Sequence, residues 1–315
     1  MIILQNQDYL TSGKPASLLG FGCAPIMGRV SRRQALRALA MAYELGVRHF
    51  DIARSYGFGD AEDVLGEFLA QGRRSATVTS KFGVAPPALK TWQRMARPVV
   101  RLARNRLGAL RGAVRANSGA LLAARNYDVA YARQCLETSL RKLRRDRIDF
   151  YLVHEPQPDA LGQIDALSRF LDDAVAIGKI GRWGIAHPLE GALPAHAPTG
   201  SVIQMSSNLD AGTMVDYGHP VRFITQPFGG QGSDISSKLL TRVSGQLGCS
   251  TPTAALMLAA HQVGPVGAVI AGMFSEQNIR MNCRVIADYR QDKPRIDSII
   301  GETVRTLNIA EALER

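Results

Sequence analysis

The stretch at 46–66, GVRHFDIARSYGFGDAEDVLG, decides the fold that we predict for this chain. Its first part, 47–52, is rich in β-forming and aromatic residues and predicts a strand. A turn rich in glycine and serine follows. The last part predicts a helix with Asp60 as its N-cap and Asp63 as a weak capping-box partner. A strand, a turn and a helix in this order form the repeating unit of an α/β fold.

Two residues of this stretch have the chemistry for proton transfer. Asp51 ends the predicted strand and Tyr56 lies on the following loop, so a carboxylate and a phenol point into the same space. A phenol has an ordinary pKa of about 10, and a neighbouring cation lowers it. Two candidate cations lie downstream, since Lys81 ends the predicted strand TVTSK and His154 ends the predicted strand IDFYLVH.

Strands and helices alternate along the whole chain. The predicted strands are 18–22, 47–52, 77–81, 148–154, 181–186, 202–205, 223–226 and 268–271, and the predicted helices include 61–71, 161–177, 233–247, 275–289 and 298–313. Eight strands that alternate with helices predict an α/β fold, a (β/α)8 TIM barrel. We expect one domain over residues 1–315, because no linker or low-complexity segment interrupts the pattern. In such a barrel the carboxyl ends of the strands meet on one face, where catalytic groups sit.

Asp51, Tyr56, Lys81 and His154 resemble, in this order, the catalytic tetrad of the aldo-keto reductase family. HFDIARSYG, the Ser-Lys that ends at Lys81 and the His-x-Pro of 154–156 are similar to motifs of the family, and the resemblance covers nearly the whole chain apart from one insertion. It implies an oxidoreductase that reduces an aldehyde or ketone to an alcohol, or runs the reverse reaction. Tyr56 would act as general acid/base, with Lys81 lowering its pKa. Asp51 would hold Lys81, and His154 would orient the substrate.

This chemistry needs a hydride donor, which side chains do not supply, so NADP(H) or NAD(H) is implied. The chain has no G-x-G-x-x-G after a strand, so the barrel itself must bind the cofactor. The resemblance implies that Gln204 binds the nicotinamide amide. Gly272 and Asn278 stand where the family often has Lys and Arg for the 2′-phosphate, so NADH stays an alternative to NADPH. The full set of expected cofactor contacts is Gly22, Cys23, His187, Gln204, Gln226, Phe228, Gly272, Gln277, Asn278 and Asn282.

Two segments depart from the regular alternation. Residues 1–17 fit a short hairpin, which in the family plugs the base of the barrel. Residues 84–127 form an insertion after the third strand. Between Lys90 and Arg125 the chain has nine basic residues and no acidic one, which is most of its net charge of +11. Three interpretations stay open: a lid that attracts an acidic or phosphorylated substrate, an amphipathic segment on an anionic membrane, or a solvated basic face without a ligand.

Composition limits the other classes of function. No apolar run approaches the roughly 20 residues that span a bilayer, and the first residues lack the features of a signal peptide. The four cysteines share no C-x-x-C spacing, so we expect free thiols rather than metal ligands or disulfides.

These features favour a cytoplasmic protein that is a monomer or a small homo-oligomer. Its expected substrate is a small carbonyl compound or alcohol, and this substrate would be acidic if the insertion is a lid. Nucleic acid is not expected as a partner, because Trp92 is the only aromatic residue of the basic segment. A non-catalytic barrel that binds the cofactor as a redox-sensing or regulatory subunit stays open as the rival interpretation.

Overall fold

Eight parallel strands hydrogen-bond in chain order, and the last pairs with the first, which closes the sheet into a barrel in this computed structural model. The structure describes residues 17–87, 124–156, 164–186, 200–207, 209, 221–229, 237–263 and 266–313. The strands are β1 Leu19–Gly22, β2 His49–Asp51, β3 Thr77–Phe82, β4 Ile148–His154, β5 Ile180–Ala186, β6 Val202–Ser206, β7 Val221–Thr225 and β8 Gly267–Ala271. The predicted TIM barrel is confirmed.

Helices surround the barrel. They are α1 Arg32–Glu44, α2 Ala61–Leu69, α3 Val129–Leu143, α4 Ile164–Ala176, α5 Lys238–Leu247, α6 Thr251–Gln262, α7 Glu276–Gln291 and α8 Lys293–Leu313. Among these described helices, none has the length and the apolar character that crossing a bilayer demands.

The ends of several helices differ from the prediction. Helix α5 begins later than the predicted 233, because the Ser237 hydroxyl accepts a hydrogen bond from the Leu240 amide at 3.2 Å and caps the helix there. Helix α8 begins earlier than the predicted 298. Its second residue is Pro294, and proline is tolerated in the first turn of a helix, where its missing N–H has no intrahelical acceptor.

The predicted capping box at the start of α2 is wrong. Asp60 occupies the N-cap position, but its backbone is helical rather than extended and its side chain makes no capping hydrogen bond. Asp63 instead accepts a hydrogen bond from Lys142 of α3 at 2.6 Å. A tight turn at Tyr56–Gly59 precedes the helix, so the turn rather than a side-chain cap sets where α2 begins.

The apolar core has two parts. Side chains from β4 to β8 fill the interior of the barrel: Phe150, Leu152, Ala186, Val202, Val221, Phe223, Ala268 and Ile270. A larger layer lies between the strands and the helices and includes Phe50, Leu65 and Phe68. The two layers make the rigid support that holds the strand ends in place.

His49 is a polar residue inside the barrel. Its ring stacks on Phe223 with 4.5 Å between centroids and meets Phe150 edge-on at 5.7 Å. Its two ring nitrogens hydrogen-bond the hydroxyls of Thr77 at 3.0 Å and Thr79 at 3.1 Å. Burial lowers the pKa of His49 to about 4, so the imidazole is neutral in the folded protein at neutral pH.

We therefore expect the free energy of unfolding to fall by about 3 kcal/mol as the pH drops from about 6.5 to about 4. The unfolded chain binds a proton at His49 near pH 6.5, whereas the folded barrel excludes it until the pH reaches about 4. Urea unfolding of the protein and of His49→Gln between about pH 7 and pH 4.5 measures this contribution. An identical pH dependence in both proteins would contradict the expectation.

The two described ends of the predicted insertion form a short paired stem at the carboxyl end of β3. The Ala85 amide donates to the Ala124 carbonyl at 2.8 Å, and the Asn126 amide donates to the Gly83 carbonyl at 2.8 Å. An antiparallel bridge joins Val84 and Arg125 between them. The predicted N-terminal hairpin and most of the basic segment lie outside the described residues.

Candidate functional site

A buried ion pair lies at the carboxyl ends of β2 and β3. The Lys81 ammonium donates to both carboxylate oxygens of Asp51, at 2.7 and 2.8 Å, and to the Ile52 carbonyl at 3.0 Å. Lys81 is fully buried, so the ammonium depends on these acceptors in place of water. Burial lowers the pKa of Lys81, but Asp51 and Tyr56 raise it more, and the net shift is upward. Lys81 therefore stays charged, with its nitrogen held at one position.

Tyr56 stands beside this pair on the tight turn. Its ring centroid is 5.2 Å from the Lys81 nitrogen, and its ring is 6.1 Å from that of His154, at nearly a right angle. The next residue, Gly57, has a φ of 59°, and a β-carbon there would lie 2.5 Å from the Ile26 carbonyl oxygen. Only glycine fits this approach without strain, so the close contact between two loops fixes where Tyr56 is presented.

The pKa of Tyr56 is shifted upward overall, although the neighbouring Lys81 lowers it. Burial raises this pKa, and the charge and hydrogen bond of Lys81 lower it by less. Asp51 and Glu155 raise it further, and the net shift is upward. Lys81 thus lowers the Tyr56 pKa, as the sequence predicted, but the cost of desolvating a phenolate outweighs this contribution of the nearby cation. At neutral pH the phenol holds its proton.

His154 ends β4 and is buried at the same face. A residue that the sequence did not point to holds its backbone. The Tyr127 hydroxyl donates to the carbonyls of His154 at 3.1 Å and Glu155 at 2.6 Å. The Tyr127 ring packs on Gly83, where a β-carbon would come within 2.4 Å of the ring. Tyr127 thus anchors the stem of the insertion to the strand end that carries His154.

Gln204 extends the site to β6. Its amide nitrogen donates to the Asp51 carboxylate at 2.7 Å. Its amide oxygen is buried and has no hydrogen-bond partner among the residues that the structure describes. A buried acceptor of this kind is costly unless a donor fills it. The carboxamide of a nicotinamide ring has such donors, so Gln204 fits the role predicted for it.

Three other predicted cofactor residues lie at the ends of β1 and β8. Gly22 and Gly272 are neighbours: a β-carbon on Gly22 would lie 3.4 Å from the Gly272 amide. Gly272 is exposed, and among the described residues its own β-carbon would meet nothing nearer than 3.9 Å. Cys23 is fully buried, and its thiol donates to the Phe21 carbonyl at 3.7 Å. A contact from Cys23 to a ligand at this face is therefore limited to its backbone.

Three further cofactor contacts, His187, Gln226 and Phe228, are predicted near the ends of β5 and β7. Strand β7 ends at Thr225, one residue before the predicted end, and Gln226 follows it as an exposed residue with a φ of 52°. Phe228 is half-buried and packs on the core. His187 lies outside the described residues. Gln226 and Phe228 stay predictions as cofactor contacts.

Helix α7 carries the last three predicted contacts, Gln277, Asn278 and Asn282. Ser275 caps the helix by accepting from the Asn278 amide at 3.2 Å, and the side chains of Gln277 and Asn278 are exposed. Asn282 is buried, and its side-chain oxygen has no hydrogen-bond partner within the described part of the chain. The side chain of Arg280 pairs with Glu276 at 2.9 Å.

Together these groups form a proton donor with fixed electrostatic surroundings. The phenol of Tyr56 is protonated at neutral pH, the ammonium of Lys81 beside it is positively charged, and His154 faces the same space. Such a set can give a proton to an oxygen that gains negative charge during a reaction.

Known proteins resemble this chain in sequence and in fold. The model of the Aldo/keto reductase family matches residues 18–189, slightly more than half of the chain. The chain is 30% identical over 161 residues to 6-dehydroglucose reductase of Novosphingobium aromaticivorans. The aligned region covers 49% of this chain and 41% of that relative. The match thus spans about two fifths of the curated relative's length.

Two solved structures have the same fold. The glycerol dehydrogenase AKR11B4 of Gluconobacter oxydans aligns with a TM-score of 0.65 at 19% identity, over 94% of this chain and 95% of that chain. An aldo-keto reductase of Klebsiella pneumoniae in complex with NADPH aligns with a TM-score of 0.60 at 18% identity, over 95% of this chain and 96% of that chain.

Proposed function

Because the chain belongs to the aldo/keto reductase family, we propose that it reduces the carbonyl group of a small aldehyde or ketone to an alcohol, or catalyses the reverse oxidation, with a nicotinamide cofactor. One observation carries this proposal: the Tyr56 phenol lies beside a Lys81 ammonium that the buried Asp51 carboxylate holds with two hydrogen bonds. That arrangement is costly to bury and suits general acid catalysis.

Each residue of the tetrad then has a separate task. The reduced nicotinamide, when bound, supplies the hydride for the carbonyl carbon. Tyr56 gives its proton to the carbonyl oxygen, which takes the electron pair of the broken π bond. Lys81 stabilises the phenolate that remains, and Asp51 keeps Lys81 in place. His154 orients the carbonyl oxygen towards Tyr56. In the reverse direction Tyr56 accepts the proton from the alcohol.

Two buried oxygens that have no hydrogen-bond partner among the described residues support a bound cofactor. The free acceptor of Gln204 suits the nicotinamide carboxamide, and the free acceptor of Asn282 suits an amino group of the adenine. We propose that Gly22, Gly272 and the capped start of α7 line the path between them. The Klebsiella pneumoniae structure is in complex with NADPH, whereas in this chain Gly272 and Asn278 stand where the family often has basic residues for the 2′-phosphate, and Arg280 pairs with Glu276 at 2.9 Å. Both NADP(H) and NAD(H) are therefore candidates.

Replacing Gln204 with methionine is expected to raise the Kd of the cofactor roughly five- to tenfold, because about 1 kcal/mol of hydrogen bonding is lost. Quenching of intrinsic fluorescence during cofactor titration measures this Kd. The matched control is Gln291→Met, at the exposed end of α7, which should leave the Kd unchanged. An unchanged Kd in Gln204→Met would remove Gln204 from the cofactor site.

The proposed reaction is tested by following oxidation of NADPH and NADH with a panel of small carbonyls. We expect turnover of a generic aldehyde such as 4-nitrobenzaldehyde. Comparison with 4-carboxybenzaldehyde tests whether an acidic substrate is favoured. Cofactor binding without turnover of any carbonyl or alcohol would overturn the proposal and favour the regulatory-subunit interpretation.

A further inference from the structure

A second buried ion pair lies behind the catalytic one. The Arg54 guanidinium donates to Glu62 at 3.0 Å, and the two side chains are only 13% and 1% exposed. The other carboxylate oxygen of Glu62 accepts from the Ser80 hydroxyl at 2.7 Å. One carboxylate therefore joins three segments: the loop after β2, the first turn of α2 and strand β3.

The three partners adjoin the two residues that must meet during catalysis. Arg54 lies two residues before Tyr56, and Ser80 directly precedes Lys81. The Arg54 amide also donates to the Lys81 carbonyl at 3.2 Å. Glu62 thus connects the backbone that carries the phenol with the backbone that carries the ammonium.

Stability is a weak explanation for this pair. A buried ion pair is often no more stable than apolar side chains of the same volume, because both charges lose their water. The Nε of Arg54 is buried without a hydrogen-bond partner among the described residues. The titratable groups that face the pair, Tyr131 and Cys135 of α3 and Tyr151 of β4, have pKa values that burial raises, so they stay neutral. Arg54 and Glu62 therefore balance one another's charge.

We propose that Glu62 is a positioning residue that, together with Arg54 and Ser80, fixes the separation between the Tyr56 phenol and the Lys81 ammonium. This inference rests on the proposed function, since it assigns Glu62 to the same reaction. Glu62 acts from the first turn of α2 through Tyr56 and Lys81, without contact with the substrate.

The test is the double variant Arg54→Met/Glu62→Met, which removes both charges and keeps similar side-chain volumes. We expect kcat to fall roughly ten- to hundredfold, as for other small misplacements of reacting groups, with the cofactor Kd within about twofold. The high-pH limb of the kcat profile should move to higher pH, because a displaced phenol loses part of the effect of Lys81. A folded double variant with the kcat and pH profile of the unmodified protein would overturn the proposal.

Ser80→Ala is the milder variant if the double variant does not fold. It removes one hydrogen bond to Glu62, so we expect a smaller decrease of kcat with the same upward shift of the high-pH limb; no change in either would overturn the proposal. The matched control is Asp297→Asn, which breaks a junction of Asp297 with His261, Tyr289 and Lys293 on the outer helices. The Asp297→Asn variant should have a lower free energy of unfolding and an unchanged kcat. An equal loss of kcat there would show that Glu62 acts through stability alone.

A readout without turnover separates this inference from the proposed function. NMR of carbon-labelled tyrosine, assigned with Tyr56→Phe, follows the ionisation of Tyr56 directly. We expect its midpoint at a higher pH in Arg54→Met/Glu62→Met than in the unmodified protein. The same midpoint in both would overturn the positioning role even if no carbonyl is reduced, whereas a shifted midpoint without any turnover would overturn only the proposed reaction.

Discussion

Replacing Tyr56 with phenylalanine is expected to lower kcat for carbonyl reduction by about 10²- to 10⁴-fold, the range that a positioned general acid contributes. The phenol holds its proton at neutral pH because burial raises its pKa. Its removal leaves the carbonyl oxygen without the proton donor that Lys81 supports. The half-buried ring still packs on the core in the variant, so the fold and the cofactor Kd should persist.

The measurement is kcat at saturating cofactor, together with the cofactor Kd from fluorescence. The matched control is Tyr43→Phe, because Tyr43 also hydrogen-bonds through its hydroxyl, to Ser75 at 2.6 Å, in a part of the protein that the tetrad does not use. That variant should keep its kcat. Retained activity in Tyr56→Phe would assign the proton donation to another group, with His154 as the next candidate.

The Tyr56 pKa also predicts a pH dependence. The pKa is shifted upward, so the acid form needed for reduction should be present throughout the neutral range. We expect kcat for reduction to decrease only as the pH rises through this elevated value, and the reverse oxidation to gain over the same interval, because it needs the phenolate. A rate that falls already between about pH 7 and 8 would contradict the direction of the shift.

Lys81→Met is expected to damage both activity and stability. Without the ammonium, Asp51 is a buried carboxylate whose remaining side-chain donor among the described residues is Gln204, and breaking a buried pair on one side costs about 3–5 kcal/mol. The phenolate of Tyr56 also loses its stabilising charge, so kcat should fall by at least about 10²-fold. Urea unfolding and kcat under conditions where the variant is folded measure the two effects.

The double variant Lys81→Met/Asp51→Asn separates these effects. Removing the opposing charge should restore most of the lost stability, since no uncompensated ion remains buried. Activity should stay low, because the cation beside Tyr56 is still missing. Recovery of kcat along with stability would show that Lys81 is a structural residue and would contradict its proposed role.

The order of the strands and the tetrad followed from the sequence because both depend on local patterns. Asp51 and Lys81 each end a strand, and parallel strands in a closed barrel bring such ends together. The net direction of the Tyr56 pKa did not follow, because it depends on how much solvent the folded barrel removes from the phenol. A sequence shows that the Lys81 cation is present. It does not show how much water the folded protein removes from the Tyr56 phenol, and this desolvation outweighs the effect of the cation on the pKa.

Contacts between residues that are far apart along the chain could not be predicted from the sequence either. Gln204 and Asp51 hydrogen-bond although 153 positions separate them, and no local pattern marks Tyr127 as the anchor of the strand end at His154. Glu62 looked like an ordinary acidic residue near a helix start, where carboxylates are common. Its burial against Arg54 and Ser80 appears only once α2, β3 and the loop are assembled.

The paired stem of the insertion has a consequence for how this protein can diversify. Residues 83–85 and 124–126 lie side by side, so whatever joins them begins and ends at nearly the same point on the barrel. Changing the length of a loop with fixed ends costs little, about 0.6 kcal/mol for each doubling. We therefore expect that the length of the intervening segment can change at little cost in stability while β3 and β4 stay as they are.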